Sequence, residues 1–339
     1  MTTTLPCQLD NDLSNRLPLL ITGLAGVAGN NAFHFFRKKY PGQVFGQRRR
    51  DLWSMSGEGI LSCDLEDTES LNAIFQKYQF KSVLNTGGSC ALKHCELDFG
   101  MAYRVNVEGI GNLLQLIRGS STRLIHLSVD LVFSGTSGGG HVETDLPDPV
   151  TVYGKTMVMA EERVQSEYPE AAILRISLPM GISYNGHAGA IDWIQNRFKF
   201  NRPATLYYDE VRTPTYTDCM NSLFERLLGN DLSGLYHAGG KIRLSLYEIA
   251  QIVNRVGGYD PKWLDGCYRL EAGPMPPRAG NVSMISDKII DGLGYDPFAP
   301  WPFHAEFVPT HRQWHKERSS FQGSPELLAE TLYRNPALA

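Results

Sequence analysis

Glycine spacing at one junction constrains this chain more than any other feature. Residues 22–29 read Thr22-Gly23-Leu24-Ala25-Gly26-Val27-Ala28-Gly29, between the apolar run Leu17-Pro18-Leu19-Leu20-Ile21 and a helical stretch beginning at Val27. A buried parallel strand feeding a helix has this texture. Glycine permits the tight turn, and its bare backbone lets N–H groups approach a pyrophosphate whose charge the helix N-terminus then favours. The spacing alone is common; at the first strand-to-helix junction it points to a bound dinucleotide, with Gly23, Ala25, Gly26, Val27, Ala28 and Gly29 as its cradle.

The alternation continues along the chain. Short strands are expected at Gln43–Gly46, Ser82–Asn85, Arg123–Ser128 and Ala172–Ser177, and helices at 68–78, 99–118 and 154–168. Repeated strand–helix units of this length build an α/β domain on a doubly wound, mainly parallel sheet. After Ser177 the breakers Pro179, Gly181, Gly186, Gly189 and Pro203 cut the chain into shorter pieces. One further strand is expected at Gly234–His237, a helix at 246–256 with Ser245 as its N-cap, an extended stretch at Ala272–Arg278 and a terminal helix at 325–334. The expected division is a loose polar arm over 1–16, a nucleotide-binding domain over 17–178 with about 204–238, a smaller mixed C-terminal substrate lobe over about 179–203 and 239–303, and an extension over 304–339. Gly138-Gly139-Gly140 reads as a mobile loop beside the cleft.

Charge and cysteines narrow the function. With 32 Lys plus Arg against 36 Asp plus Glu, the net charge of −4 argues against nucleic acid or an anionic membrane as partner. No apolar run reaches the length of a membrane helix, and the first residues lack a secretory pattern, so cytoplasmic residence is the expectation. Six cysteines at 7, 63, 90, 95, 219 and 267 are too dispersed for a disulfide framework. Cys90, His94 and Cys95 lack a second ligand pair at a recognised spacing, and no metal is expected.

The second strand runs into Gln47-Arg48-Arg49-Arg50, where an acid would normally bind a ribose 2′-hydroxyl. Guanidinium groups suit a 2′-phosphate instead, which favours NADP(H) over NAD(H) with Gln47, Arg48 and Arg49 as contacts. Asp64 and Leu65 fall where an adenine ring would be held.

Taken together, these residues resemble an extended short-chain dehydrogenase/reductase of the group that contains dTDP-4-dehydrorhamnose reductase and the beta subunit of methionine adenosyltransferase. The likeness spans about residues 18–298. Besides the glycine turn it rests on Cys63-Asp64-Leu65, Asn85-Thr86-Gly87-Gly88, Tyr103-Arg104-Val105-Asn106, Ser128-Val129-Asp130-Leu131-Val132-Phe133, Glu143-Thr144-Asp145, Tyr153-Gly154-Lys155-Thr156, Arg212-Thr213-Pro214-Thr215-Tyr216 and Pro277-Arg278 with Asn281. It implies a Rossmann-type sheet, a sugar-nucleotide lobe, further cofactor contacts at Thr86, Gly87 and Tyr153, substrate contacts at Arg212 and Arg278, and a homodimer formed through helices near 99–118 and 154–168. It also implies that Tyr153 exchanges a proton with the substrate.

Two positions depart from that group. The family's lysine, four residues after the tyrosine, is Met157, and its hydroxyl residue before Asp130 is Val129. A phenol with a pKa near ~10 needs roughly 4 kcal/mol of preferential phenolate stabilisation to ionise near neutrality, and methionine carries no charge to supply it. Losing an oxyanion donor typically costs about 3 kcal/mol. Lys155 does not substitute simply, because positions two apart on a helix face different ways. Ser128, Asp130, His94, Lys93, a repositioned Lys155 or the charge of the oxidised cofactor could make good what the two departures remove. Two readings follow: an NADP(H)-dependent reductase, epimerase or dehydratase of a nucleotide-linked sugar with an altered catalytic set, or a catalytically silent dinucleotide-binding regulatory or scaffold subunit.

Overall fold

In the computed structural model the chain is described over residues 13–184, 186, 189–274, 276–317 and 322–333. Its centre is a seven-stranded parallel sheet. Strands β1 (Leu19–Ile21), β2 (Val44–Arg48), β3 (Ile60–Ser62), β4 (Ser82–Asn85), β5 (Arg123–Val129) and β6 (Ala172–Ile176) are joined by a last strand, Gly234–Ala238. From one edge the order is Gly234–Ala238, β6, β5, β4, β1, β2, β3. The order reverses beside β1, which opens a crevice at the carboxyl ends of β1 and β4, where ligands bind in such sheets.

Helices cover both faces. Helix α1 (Val27–Lys39) packs with α8 (Thr217–Leu228) on one side, joining β1, β5 and Gly234–Ala238 through Phe33, Phe36, Leu223 and Phe224. On the other, α2 (Thr68–Tyr78), α5 (Gly109–Ile117) and α6 (Val152–Glu167) bury Leu71, Leu113, Leu114 and Val164 against β1, β4 and β5. The long helix expected over 99–118 is present over 99–117, preceded by the short α3 (Leu92–Leu97); within it α4 (Phe99–Tyr103) widens into a π turn at Arg104–Glu108 before α5. Such turns commonly mark functional positions, and Asn106 sits in this one.

The lobe has its own core. Helices α7 (Ala190–Lys199) and α9 (Leu246–Val256) pack on a two-stranded pair, Ala204–Tyr207 beside Leu264–Cys267. The stretch 204–216, expected in the nucleotide-binding domain, pairs outside the central sheet, with 264–267, 244–245 and 179–180; α8 and Gly234–Ala238 return to the sheet. Trp314, Leu328 and Leu332 of the extension are buried in this same core. At the other terminus residues 1–12 of the expected arm lie outside the described residues, but Leu13 is fully buried and Arg16 pairs with Asp231 at 2.5 Å. The glycine run 138–140 is pinned: Asn281 donates to Gly138 O at 2.7 Å and Gly140 N to Ser283 Oγ at 3.0 Å. None of the described helices is long and apolar enough to cross a membrane.

Two buried histidines tie this fold to pH. His126 takes a hydrogen bond on Nδ1 from Asn85 at 2.8 Å and is pushed down from 6.5 to about 4 by burial. His237, lowered to about 4 by burial and then by the Arg175 cation, donates from Nδ1 to His141 O. The unfolded chain binds the extra protons first, so the contribution of these two histidines is constant above about pH 7 and stability falls as pH drops through 6.5, on the order of 2 kcal/mol per histidine by pH 5. Urea unfolding midpoints at pH 7.5 and pH 5 check this; equal midpoints contradict it.

Candidate functional site

The glycine turn is built for close approach. Gly23 has φ +69°, and a Cβ there would lie 2.6 Å from Thr86 O. A Cβ on Gly29 would lie 2.5 Å from Gly23 O and 2.6 Å from Thr86 Oγ1. Gly26, the N-cap of α1, has only Gly23 O within reach, at 3.5 Å, and caps the helix with no side chain. The first turn of α1 also lacks an acid, so its N–H groups and positive end, with Ala25, Val27 and Ala28 around them, are available to an anion. These residues fit the pyrophosphate of a dinucleotide.

The turn is held from beneath by side chains that the spacing alone does not single out. Thr22 Oγ1 accepts from Thr86 N at 3.1 Å and Gly87 N at 3.0 Å and donates to Asn85 at 2.6 Å. Gln47, expected as a cofactor contact, is buried: its Oε1 accepts from Gly23 N at 3.1 Å and its Nε2 donates to Cys63 O. It shapes the cradle instead of facing out of it. Leu65 is likewise buried, beneath Gly87 and Gly109. In the basic turn Arg48 donates to the carbonyls of Arg49 and Arg50, Arg50 turns to Asp67 and Ser70, and Asp64 accepts from Arg50 N at 3.1 Å. Arg49 and Arg50 are about equally exposed, at 53% and 54% of the side chain, but Arg50 is tied to Asp67 whereas Arg49 lies beside its chain neighbour Asp51.

Thr151 caps α6 by accepting from Gly154 N at 2.9 Å, which sets Tyr153 at the second helical position and Met157 one turn on along the same face. Both are buried, and with Val129, Cys95 and Leu131 they form one apolar cluster. No described residue hydrogen-bonds the Tyr153 hydroxyl. Burial, then the neighbouring Cys90, Asp130 and Cys95, hold that phenol well above its ordinary value, with only Arg212 opposing. Lys155 is exposed on the outer face of α6, and Lys93 and His94 are exposed on α3. Asn106 ties the helix to the β4 edge: its Oδ1 accepts from Ser89 N at 2.7 Å and its Nδ2 donates to Thr156 at 2.9 Å.

Three further expectations meet a different arrangement. Ser128 donates to Glu161, which is paired with Arg175 at 2.7 Å in a buried network, so its hydroxyl is turned away from Tyr153. Asp130 has both oxygens occupied, by Arg212 at 2.6 Å and Ser177 at 2.6 Å. Arg212, expected to meet a diphosphate, is buried between Asp130 and Glu210, the latter at 2.8 Å. Arg278 is the accessible cation: it lies 4.7 Å over Tyr207 and 3.6 Å from Glu210. The sequence carries no local sign of these pairings. Each joins residues far apart in the chain, and Arg212 itself lies on a two-residue strand, 211–212, paired with 244–245.

Residues 17–302 match the RmlD substrate binding domain family. The chain belongs to that family. A spore coat polysaccharide biosynthesis protein of Bacillus subtilis is 26% identical to it over 238 residues, covering 69% of this chain and 81% of the relative. The methionine adenosyltransferase 2 subunit beta of Rattus norvegicus is 26% identical over 253 residues, 72% of this chain and 74% of the relative. Among solved structures, a dTDP-4-dehydrorhamnose reductase from Bacillus anthracis in complex with NADP superposes with a TM-score of 0.73 at 18% identity, covering 84% of this chain and 95% of that one. The extended short-chain dehydrogenase/reductase fold of this RmlD-family chain is thereby shown. Among the described residues no three His, Cys, Asp or Glu side chains gather around a common point for a metal.

Proposed function

We propose that this protein binds NADP(H) and reduces a keto group on a nucleotide-linked sugar. The observation that carries the reading is the state of Tyr153: a buried phenol, held protonated, one helical turn from Met157 and beside the end of β5. Reduction asks a tyrosine only to donate a proton to the nascent alkoxide. Epimerases and dehydratases begin with an oxidation, for which the same group must first be a phenolate. A bound nicotinamide would supply the hydride. The chain's own part is to hold the dinucleotide on Gly23, Gly26 and Gly29, to place Tyr153 against the substrate oxygen, and to meet the diphosphate with Arg278. Asp130 and the buried Arg212 fix the wall of the cleft. A homodimer through α4, α5 and α6 belongs to the same proposal.

Arg50 is as exposed as Arg49 but bonded to Asp67 and Ser70, so Arg49 is the group we assign to a 2′-phosphate, and the NADP in the Bacillus anthracis reductase supports that cofactor. Arg49→Ala is expected to weaken NADPH binding about tenfold and leave NADH binding nearly unchanged. Fluorescence titration of both cofactors reads this; equal losses for the two would overturn the assignment. For the reaction, NADPH consumption with nucleotide-linked 4-keto sugars is expected in the wild type and lost by a factor of about 10² or more in Tyr153→Phe. A Tyr153→Phe protein as active as wild type removes the tyrosine from the chemistry.

One observation favours the second reading, a silent regulatory or scaffold subunit. Val129 and Met157 leave Tyr153 without the cation and donor that would speed proton transfer. NADPH binding with no turnover of any keto sugar is the outcome that selects it.

A further inference from the structure

A cavity of about 180 Å³ opens on the lobe, lined by Tyr208, Val211, Ser245, Tyr247, Glu248, Gln251, His311 and Arg312. It is distinct from the cleft. Alternation along Ala204–Tyr207 and the residue that follows puts Tyr207, under Arg278, on one face and Tyr208, under Arg312, on the other. Its outer wall, His311 and Arg312, lies beyond residue 302, where the family match ends. The volume is below the roughly 300 Å³ at which pockets for drug-sized ligands begin, so the occupant is small.

The lining is polar, charged and incompletely paired. Arg312 stacks 4.0 Å over Tyr208 and donates to Tyr268 OH at 2.9 Å, which fixes the plane of its guanidinium. Its backbone is held by Tyr247 OH at 2.9 Å. Across the cavity Glu248 uses Oε2 to accept from Ser245 N at 2.7 Å. Gln251 is fully buried behind this wall; its Nε2 meets His311 O and His315 Nδ1, both at 3.1 Å, and its Oε1 is closed off from the cavity. Among the described residues neither Arg312 nor Glu248 forms an ion pair, with the other or with any third group. Opposite charges line one small space and stay apart.

An anion alone would satisfy Arg312 but face the Glu248 carboxylate, and a cation alone would meet the reverse conflict. A dipolar molecule satisfies both. We propose that this cavity binds a free α-amino acid, its carboxylate on Arg312, its ammonium on Glu248, and its side chain against Tyr208 and Tyr247. The inference is independent of the reductase reading, since it uses no residue of the cofactor cleft. Val211, in the cavity wall, is the neighbour of Arg212, so the site lies directly behind the strand that holds Asp130.

The test is calorimetric titration of the full chain with each of the twenty free L-amino acids. At least one is expected to bind with a Kd in the micromolar to low-millimolar range. Arg312→Met and Glu248→Gln should each weaken it at least about tenfold without changing the melting temperature, because Arg312 is exposed and glutamine preserves the capping box at Ser245. The N-acetyl and α-amide derivatives of that amino acid should bind at least about tenfold more weakly than the parent. The proposal is overturned if no amino acid binds, if the N-acetyl derivative binds as well as the parent, or if both variants bind like wild type.

Discussion

Met157→Lys combined with Val129→Thr is expected to raise the rate of NADPH-dependent keto-sugar reduction by about 10²–10³. Position 157 shares a helix face with Tyr153, and both side chains lie in one apolar cluster with Val129 at the end of β5. An ammonium there would oppose the burial and the Asp130 carboxylate that now hold the phenol high. A hydroxyl at 129 would give the developing alkoxide a donor it lacks. The single variants separate the two effects: Met157→Lys acts on the pH dependence of the rate, shifting its alkaline limb to lower pH, whereas Val129→Thr raises kcat at constant pH. Burying a lysine carries a stability penalty, so the double variant should melt below wild type. A double variant that binds NADPH as before and is no faster than wild type would show that Tyr153 is not the acid.

Gly26→Asp should abolish dinucleotide binding, with a loss of at least about 10² in affinity, while leaving the protein as stable as before or slightly more so. The expectation follows from local geometry. Gly26 sits at φ −75°, ψ 162°, a conformation open to any residue, and an added Cβ meets nothing closer than 3.5 Å. Aspartate is a preferred N-cap, able to accept from the first-turn N–H groups that have no side-chain cap now. Those same groups are the ones proposed to hold a pyrophosphate, and a carboxylate there both occupies them and repels the ligand. Gly29→Ala is a poorer probe, because its Cβ would collide with Gly23 O and disturb the turn itself. A Gly26→Asp protein that melts normally and binds NADPH like wild type would place the cofactor elsewhere.

The parallel sheet was legible because its signals are local. Each strand is a short apolar run, each helix has its own period, and the glycines of residues 22–29 stand at the one junction where the chain must turn tightly. Right-handed crossovers narrow the possible strand orders without fixing one. Less was legible wherever long-range pairing decides. Gln47 reads as the end of a strand facing a ligand, yet its side chain turns back to Gly23 N and Cys63 O because those groups need partners in a buried turn. Arg212 looks like a phosphate ligand until residues 211–212 pair with 244–245 and deliver its guanidinium to Asp130 and Glu210. The π turn at Asn106 has no period of its own to betray it. In the lobe, strands of two to four residues, such as Pro179–Met180 and Leu244–Ser245, are too short for alternation to show.

The most direct test of the reductase account is mass spectrometry of the nucleotide sugar recovered after incubation with NADPH deuterated at the nicotinamide C4 position. The account predicts a product one deuterium heavier from a nucleotide-linked 4-keto sugar with wild-type protein, and none with Tyr153→Phe. Saturable NADPH binding with no deuterium in any nucleotide sugar would contradict it and leave a dinucleotide-binding subunit of the same fold.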